Sequence, residues 1–303
     1  MIAETDHTRG KMTRDRIREK VKTIIQLPAL PAVAKTVTDL ADDPRTSAAK
    51  LGKIISADQA LTAKVLKIAN SPFYGYPKRI STVQFAIIVM GFEVLKELVT
   101  GISLVSSIEK DGDEAFEGTQ FWEHSISTGS IAHRLAQDLG YRVSGEVFVA
   151  GLLHDMGVTV LHRYFNKDFH EVREMVRNTG CRYLEAEEQV LGVTHADVGG
   201  WLAERWNLPD HLAEAIRFHH TPSVAAKNPE LAALTHCADM LANRISPAPA
   251  DFDRGNECDD EACRLLGLDG HEALEEYARN YSEVLQDAVQ HSKDLIMRHG
   301  GTL

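Results

Sequence analysis

Only four cysteines, Cys181, Cys237, Cys258 and Cys263, occur in the 303 residues, and no two stand in a CxxC pair. Their spacing leaves a reduced, cytoplasmic protein with four free thiols as the expectation. No apolar run approaches the roughly 18 residues of a membrane span, and nothing at the N-terminus resembles a signal peptide. Internal repeats and low-complexity tracts are lacking too. Positive charge is scarce. The formal net charge is −11, so the surface as a whole repels nucleic acid and acidic membrane, and neither is expected as a direct partner. One basic stretch, from Arg9 to Lys22, is interleaved with Asp15 and Glu19 and reads as the solvated face of a first helix.

What is present is an ordinary globular composition, 44% hydrophobic and 25% charged, long enough for one large or two medium cores. The apolar spacing is helical throughout, and no period-2 stretch competes with it in the first half. Residues 1–12 read as a loose tail. A helical part over 13–118 follows, interrupted by the prolines of LPALP at 27–31 and by the aromatic loop ANSPFYGYP at 69–77, where Phe73, Tyr74 and Tyr76 would seal a contact between two helical halves. Asp58, Ser81, Thr119 and Thr194 are placed to cap helices. The acidic stretch 108–118 marks a boundary. A core of 119–245 comes next, with one helix expected over 146–165, and then a helical extension over 246–303. The fold class is all-α.

The centre of interest is GLLHDMG at residues 151–157. An imidazole and a carboxylate inside an apolar helix are costly unless compensated. His154 and Asp155 could be satisfied by hydrogen bonds or solvent, or they could share a metal ion, since neutral imidazole and ionised carboxylate are ordinary ligands. Other titratable residues share their apolar settings. His124 follows Phe121 on a largely apolar helix, and His195 opens a capped one. His219 and His220 close an amphipathic helix, and Asp239 lies between Leu234 and Leu241. His236, three residues before Asp239, reads as a packing or surface residue.

The order H…HD…H…HH…D resembles the HD superfamily of metal-dependent phosphohydrolases. LPALP at 27–31, DQALTAKVLKIANS at 58–71, FWEHS at 121–125, HADVGGWLAERWNLP at 195–209 and HH at 219–220 narrow the resemblance to the HDOD domain, over roughly residues 20–245. It implies a helical N-terminal part packed on an HD-like core, in a family found in bacterial signalling. It also implies a ligand set: His124, His154, Asp155 and Asp239 around one ion, with Asp155 bridging to a second held by His195, His219 and His220. Iron or manganese suits this imidazole and carboxylate set, with zinc or nickel as competitors.

The resemblance has gaps. Phosphodiesterases of the HD-GYP type carry lysine three residues after the motif aspartate, where this chain has Val158. After HH it continues Thr221-Pro222-Ser223 in place of their Glu and Gly-Tyr-Pro stretch, and Gln120, not an acid, stands four residues before His124. The first two departures argue against cyclic-di-GMP hydrolysis, and Gln120 argues against a third metal ligand. The expected function is a cytoplasmic signalling module that works through an unidentified protein partner. The alternative is a phosphohydrolase taking a phosphoester near the metal site, with His154 and Asp155 at its centre.

Overall fold

Short polar side chains start the helices. In the computed structural model Ser47, Asp58, Thr82 and Thr194 each accept a hydrogen bond from the backbone N–H three residues on, at 3.2, 3.0, 3.2 and 3.2 Å. These bonds satisfy amides that the first turn leaves without partners. Asp58 and Thr194 cap as their sequence suggests, whereas Thr82 takes the role expected of Ser81. The structure describes residues 14–21, 32–41, 43–70, 80–108, 118–141, 146–206, 208–245, 252, 257–283 and 286. The tail 1–12, LPALP, the aromatics Phe73, Tyr74 and Tyr76, the acidic stretch 109–117 and residues 246–251 lie outside them.

Helix α1 covers 14–21. It is followed by α2 (Ala32–Ala41), α3 (Ala48–Ile55), α4 (Gln59–Ala69), α5 (Val83–Met90) and α6 (Phe92–Ile108). The second half holds α7 (Gly118–Asp138), α8 (Glu146–Leu153), α9 (Met156–Tyr164), α10 (Asn166–Thr179), α11 (Tyr183–Leu191), α12 (His195–Arg205), α13 (Asp210–Phe218) and α14 (Pro229–Ile245). A 3-10 turn at Pro222–Val224 precedes α14, and α15 (Asp260–Leu265) and α16 (Gly270–Asn280) follow it. No strand occurs among the described residues, so the all-α expectation holds. Thr119 sits within the first turn of α7 instead of capping it.

Two further sequence expectations need correction. The helix expected over 146–165 is two helices, broken at His154 and Asp155, with Asp155 at φ −96°, ψ 10°. Apolar residues run on both sides of the break, so hydrophobicity gives no sign of it; the turn aims both polar side chains inward. The basic face of α1 is also more than solvated. Arg14 pairs with Asp197 and Arg16 with Asp168, each at 3.3 Å, while Arg14 and Arg18 lie over the Trp201 ring. With Ile17 and Val21 buried beneath, α1 docks on the second half of the chain.

Every residue of α8 from Val147 to Leu153 is buried. It packs on α7, α14, α13 and α6, and so forms the axis of the second half. Its crossing with α7 has no room for side chains. A Cβ on Gly151 would stand 2.7 Å from the Gly129 Cα, and one on Gly129 would stand 2.7 Å from the Phe148 carbonyl oxygen. That approach brings His124 of α7 beside His154. In the first half, Asn70 pins the ends of one connection. Its Nδ2 donates to the Leu66 and Ile80 carbonyls and its Oδ1 accepts from the Ile80 N–H, all at 2.7 Å. Asn70→Ala removes all three bonds from a part-buried position. The expected cost is about 2 kcal/mol, to be read from the denaturation midpoint.

Candidate metal centre

All seven sequence candidates converge on one buried cluster, reached from α7 (His124), the α8–α9 turn (His154, Asp155), α12 (His195), the end of α13 (His219, His220) and α14 (Asp239). His154, Asp155, His195 and His219 are fully buried, Asp239 is 1% and His124 7% exposed. His220 alone of the seven is half-buried.

Asp155 divides the cluster. Its Oδ2 lies 3.0 Å from His154 Nε2 and 3.5 Å from His124 Nε2, while Oδ1 lies 3.2 Å from His195 Nε2 and 3.6 Å from His219 Nε2. Asp239 Oδ1 completes the first lobe, 3.1 Å from His124 Nε2 and 3.6 Å from His154 Nε2. His220 completes the second, its Nε2 2.9 Å from that of His195. Separations of about 3.0–3.5 Å are the edges of a coordination shell whose bonds are about 2.0–2.2 Å long.

The outer faces of the rings are fixed. His154 Nδ1 donates to the Gly151 carbonyl and His219 Nδ1 to that of Ile216, both at 2.7 Å. His195 Nδ1 lies 2.9 Å from Glu187 Oε2. A neutral ring that donates through Nδ1 turns the Nε2 lone pair inward, the form a ligand needs. Both Asp155 oxygens, Asp239 Oδ2 and His219 Nε2 are buried without a hydrogen-bond partner. Buried polar atoms are seldom left so, and a cation in each lobe would give the two Asp155 oxygens and His219 Nε2 their missing partners.

Electrostatics agree. Burial opposes ionisation of Asp155, but the charges of His154 and His195, at 3.0 and 3.2 Å, outweigh it and hold the carboxyl well below the usual range. Burial likewise opposes charge on His154 and His195. Asp155 in the first case, and Glu187 with Asp155 in the second, hold those imidazoles well above their ordinary value. Burial, with His154 adding to it, pushes His219 down to about 3. Carboxylates and raised imidazoles thus meet in a place where metal could replace the protons. Uptake would release protons, so apparent affinity should fall as pH drops through neutrality, readable as metal retained at fixed free-metal concentration.

Sequence reasoning missed Glu187, although a signal was there. The residue stands on the buried face of α11 with Tyr183, Ala186 and Leu191, an acid on an apolar stripe. Its Oε2 also accepts the His195 backbone N–H at 3.0 Å, so it fixes both ring and backbone. Glu187→Gln should weaken metal binding by about 10–100-fold, the usual effect of disturbing a ligand's hydrogen-bond partner, measured by competition against a chromogenic chelator. His236 is a packing residue with a second task. It is 2% exposed, and its Nδ1 donates to the His219 carbonyl at 2.7 Å. It faces away from the cluster and braces a member of it.

These features define an all-helical protein with an HD-type His/Asp cluster at its core. The HDOD domain matches residues 27–222, and the chain belongs to that family. An HDOD domain protein of unknown function from Geobacter sulfurreducens superposes with a TM-score of 0.69 at 25% identity, over 94% of this chain and 98% of that one. A Shewanella amazonensis protein provisionally named a phosphohydrolase gives 0.69 at 24%, over 91% and 97%. A Marinobacter aquaeolei protein provisionally named for signal transduction gives 0.70 at 23%, over 95% and 66%; the last two show likeness of fold. An uncharacterized Treponema pallidum protein is 27% identical over 198 residues, which are 65% of this chain and 38% of that protein. No helix among the described residues is long and apolar enough to cross a membrane.

Proposed function

We propose that this chain is a cytoplasmic signalling module in which a dinuclear iron or manganese centre stabilises the HD-like core and conveys its occupancy to a protein partner. His124, His154 and Asp239 would hold one ion, His195, His219 and His220 the other, and Asp155 would bridge them. The observation that carries this reading is the division of the two Asp155 oxygens between the lobes. Five imidazoles and two carboxylates form an N/O donor set that suits iron or manganese. A regulatory role is favoured by Val158, fully buried where the HD-GYP type places lysine, and by Thr221, which leads into the 3-10 turn. Val158 packs where the cation would stand, and Thr221-Pro222-Ser223 takes the place of part of the loop that would shape a phosphoester site.

The half-buried position of His220 beside six buried candidates supports a second reading, a metal-dependent phosphohydrolase. Bound ions would supply Lewis-acid activation of water and a clamp for phosphoryl oxygens, while Glu187 and the Gly151 and Ile216 carbonyls keep the rings aimed. One assay separates the two. Protein loaded with iron or manganese is offered nucleotides and cyclic dinucleotides beside a His154→Ala, Asp155→Ala control. The regulatory reading predicts equal, background turnover. Metal-dependent turnover lost in the control establishes the hydrolase.

A further inference from the structure

Away from the His/Asp cluster, three of the four cysteines meet. Cys237 lies on α14, Cys258 just before α15 and Cys263 within α15. Their Sγ atoms all lie within 4.8 Å of one another, with Cys258 and Cys263 3.4 Å apart. Cys237 and Cys263 are fully buried, and Cys258 is half-buried. Ordinary packing would use these residues as small apolar fillers, which does not require three sulfurs to face one point. A Cys258–Cys263 disulfide would close only a short loop and leave Cys237 outside it. Three thiolates around one ion with bonds of about 2.3 Å need sulfurs about 3.8–4.0 Å apart, a spacing within the observed cluster.

We propose that Cys237, Cys258 and Cys263 form a second metal site that takes zinc through three thiolates. On binding, three S–H groups lose their protons to solvent and three Zn–S bonds form. The fourth position faces the half-buried Cys258 side and takes water. Soft sulfur donors distinguish this site from the N/O cluster, so the two select different metals.

The hydrogen-bond pattern gives the site a role. His236, next to Cys237, accepts the Asp259 N–H through Nε2 at 2.9 Å and donates to the His219 carbonyl through Nδ1 at 2.7 Å. Asp259 adjoins Cys258. Zinc at the thiolates would therefore clamp the segment carrying α15 to α14, and through His236 would steady the backbone of His219.

Cobalt tests this, because cobalt bound by thiolate shows sulfur-to-metal charge-transfer absorption in the near ultraviolet that an N/O site lacks. The full chain, reduced and metal-free, is titrated with cobalt and then with zinc. Expected is a thiolate band whose final amplitude corresponds to one thiolate-bound ion per chain and that zinc bleaches. It should be retained in Cys181→Ser and in His154→Ala, Asp155→Ala, and lost in Cys258→Ser, Cys263→Ser. Should that double variant misfold by circular dichroism, Cys258→Ser alone, at the half-buried position, must weaken cobalt binding at least tenfold. No thiolate band in the reduced wild-type chain, or a band unchanged in Cys258→Ser, overturns the site. The His154→Ala, Asp155→Ala variant makes the result independent of the His/Asp centre.

Discussion

Asp155→Ala should release both ions of the His/Asp centre and abolish the stability they confer. Asp155 faces both lobes, with one oxygen toward His124 and His154 and the other toward His195 and His219. Without it, each ion would lose a ligand and the negative charge that offsets the repulsion between two dications. A ligand present at about a thousand times its dissociation constant stabilises the folded state by about 4 kcal/mol. At about 2–4 °C per kcal/mol for a chain of this size class, chelation should lower the wild-type melting temperature by roughly 10 °C more than it lowers that of Asp155→Ala. Equal shifts in the two proteins would show that no metal at this centre stabilises the fold.

Gly157→Ala should be the most disruptive glycine-to-alanine change among the described residues. Gly157 sits in the first turn of α9 where α12 crosses it, and a Cβ there would overlap the His195 carbonyl oxygen and reach within 2.8 Å of Gly199 N. Both obstacles are backbone, so no rotamer change relieves them and the helices must separate. Overpacking costs typically about 1–3 kcal/mol. A backbone collision in the core should reach the upper end, a fall of roughly 6–10 °C in melting temperature. The separation also carries His195 away from Asp155. Metal content should therefore fall toward one ion per chain, with the lobe of His124, His154 and Asp239 retained. A variant with wild-type melting and full metal content would mean that the two helices have slack at this crossing.

The seven clustered residues were legible because each breaks an apolar pattern and because their order is shared with a family. What could not be read was geometry that leaves no local trace. The break at His154 and Asp155 is invisible to periodicity, since Leu152 and Leu153 precede it and Met156 and Val158 follow it, all buried. Glu187 differs from its exposed acidic neighbours only in lying on the apolar face of α11. Cys237 and Cys258 are separated by 20 residues, so their approach depends on how α15 folds back against α14. The glycines of GLLHDMG were visible as letters, but their use, letting α8 meet α7 at Gly151 and α9 meet α12 at Gly157, appears only when the partner helices are in place.

The account depends most on one carboxylate standing between two cations. Anomalous diffraction from crystals of protein purified without chelator, collected on either side of the iron and manganese absorption edges, examines that directly. The expected result is two peaks flanking Asp155, one beside His124, His154 and Asp239 and the other beside His195, His219 and His220. A cluster without anomalous density in crystals soaked in excess iron or manganese, its histidines instead bonded to the two aspartates and to ordered water, would contradict it.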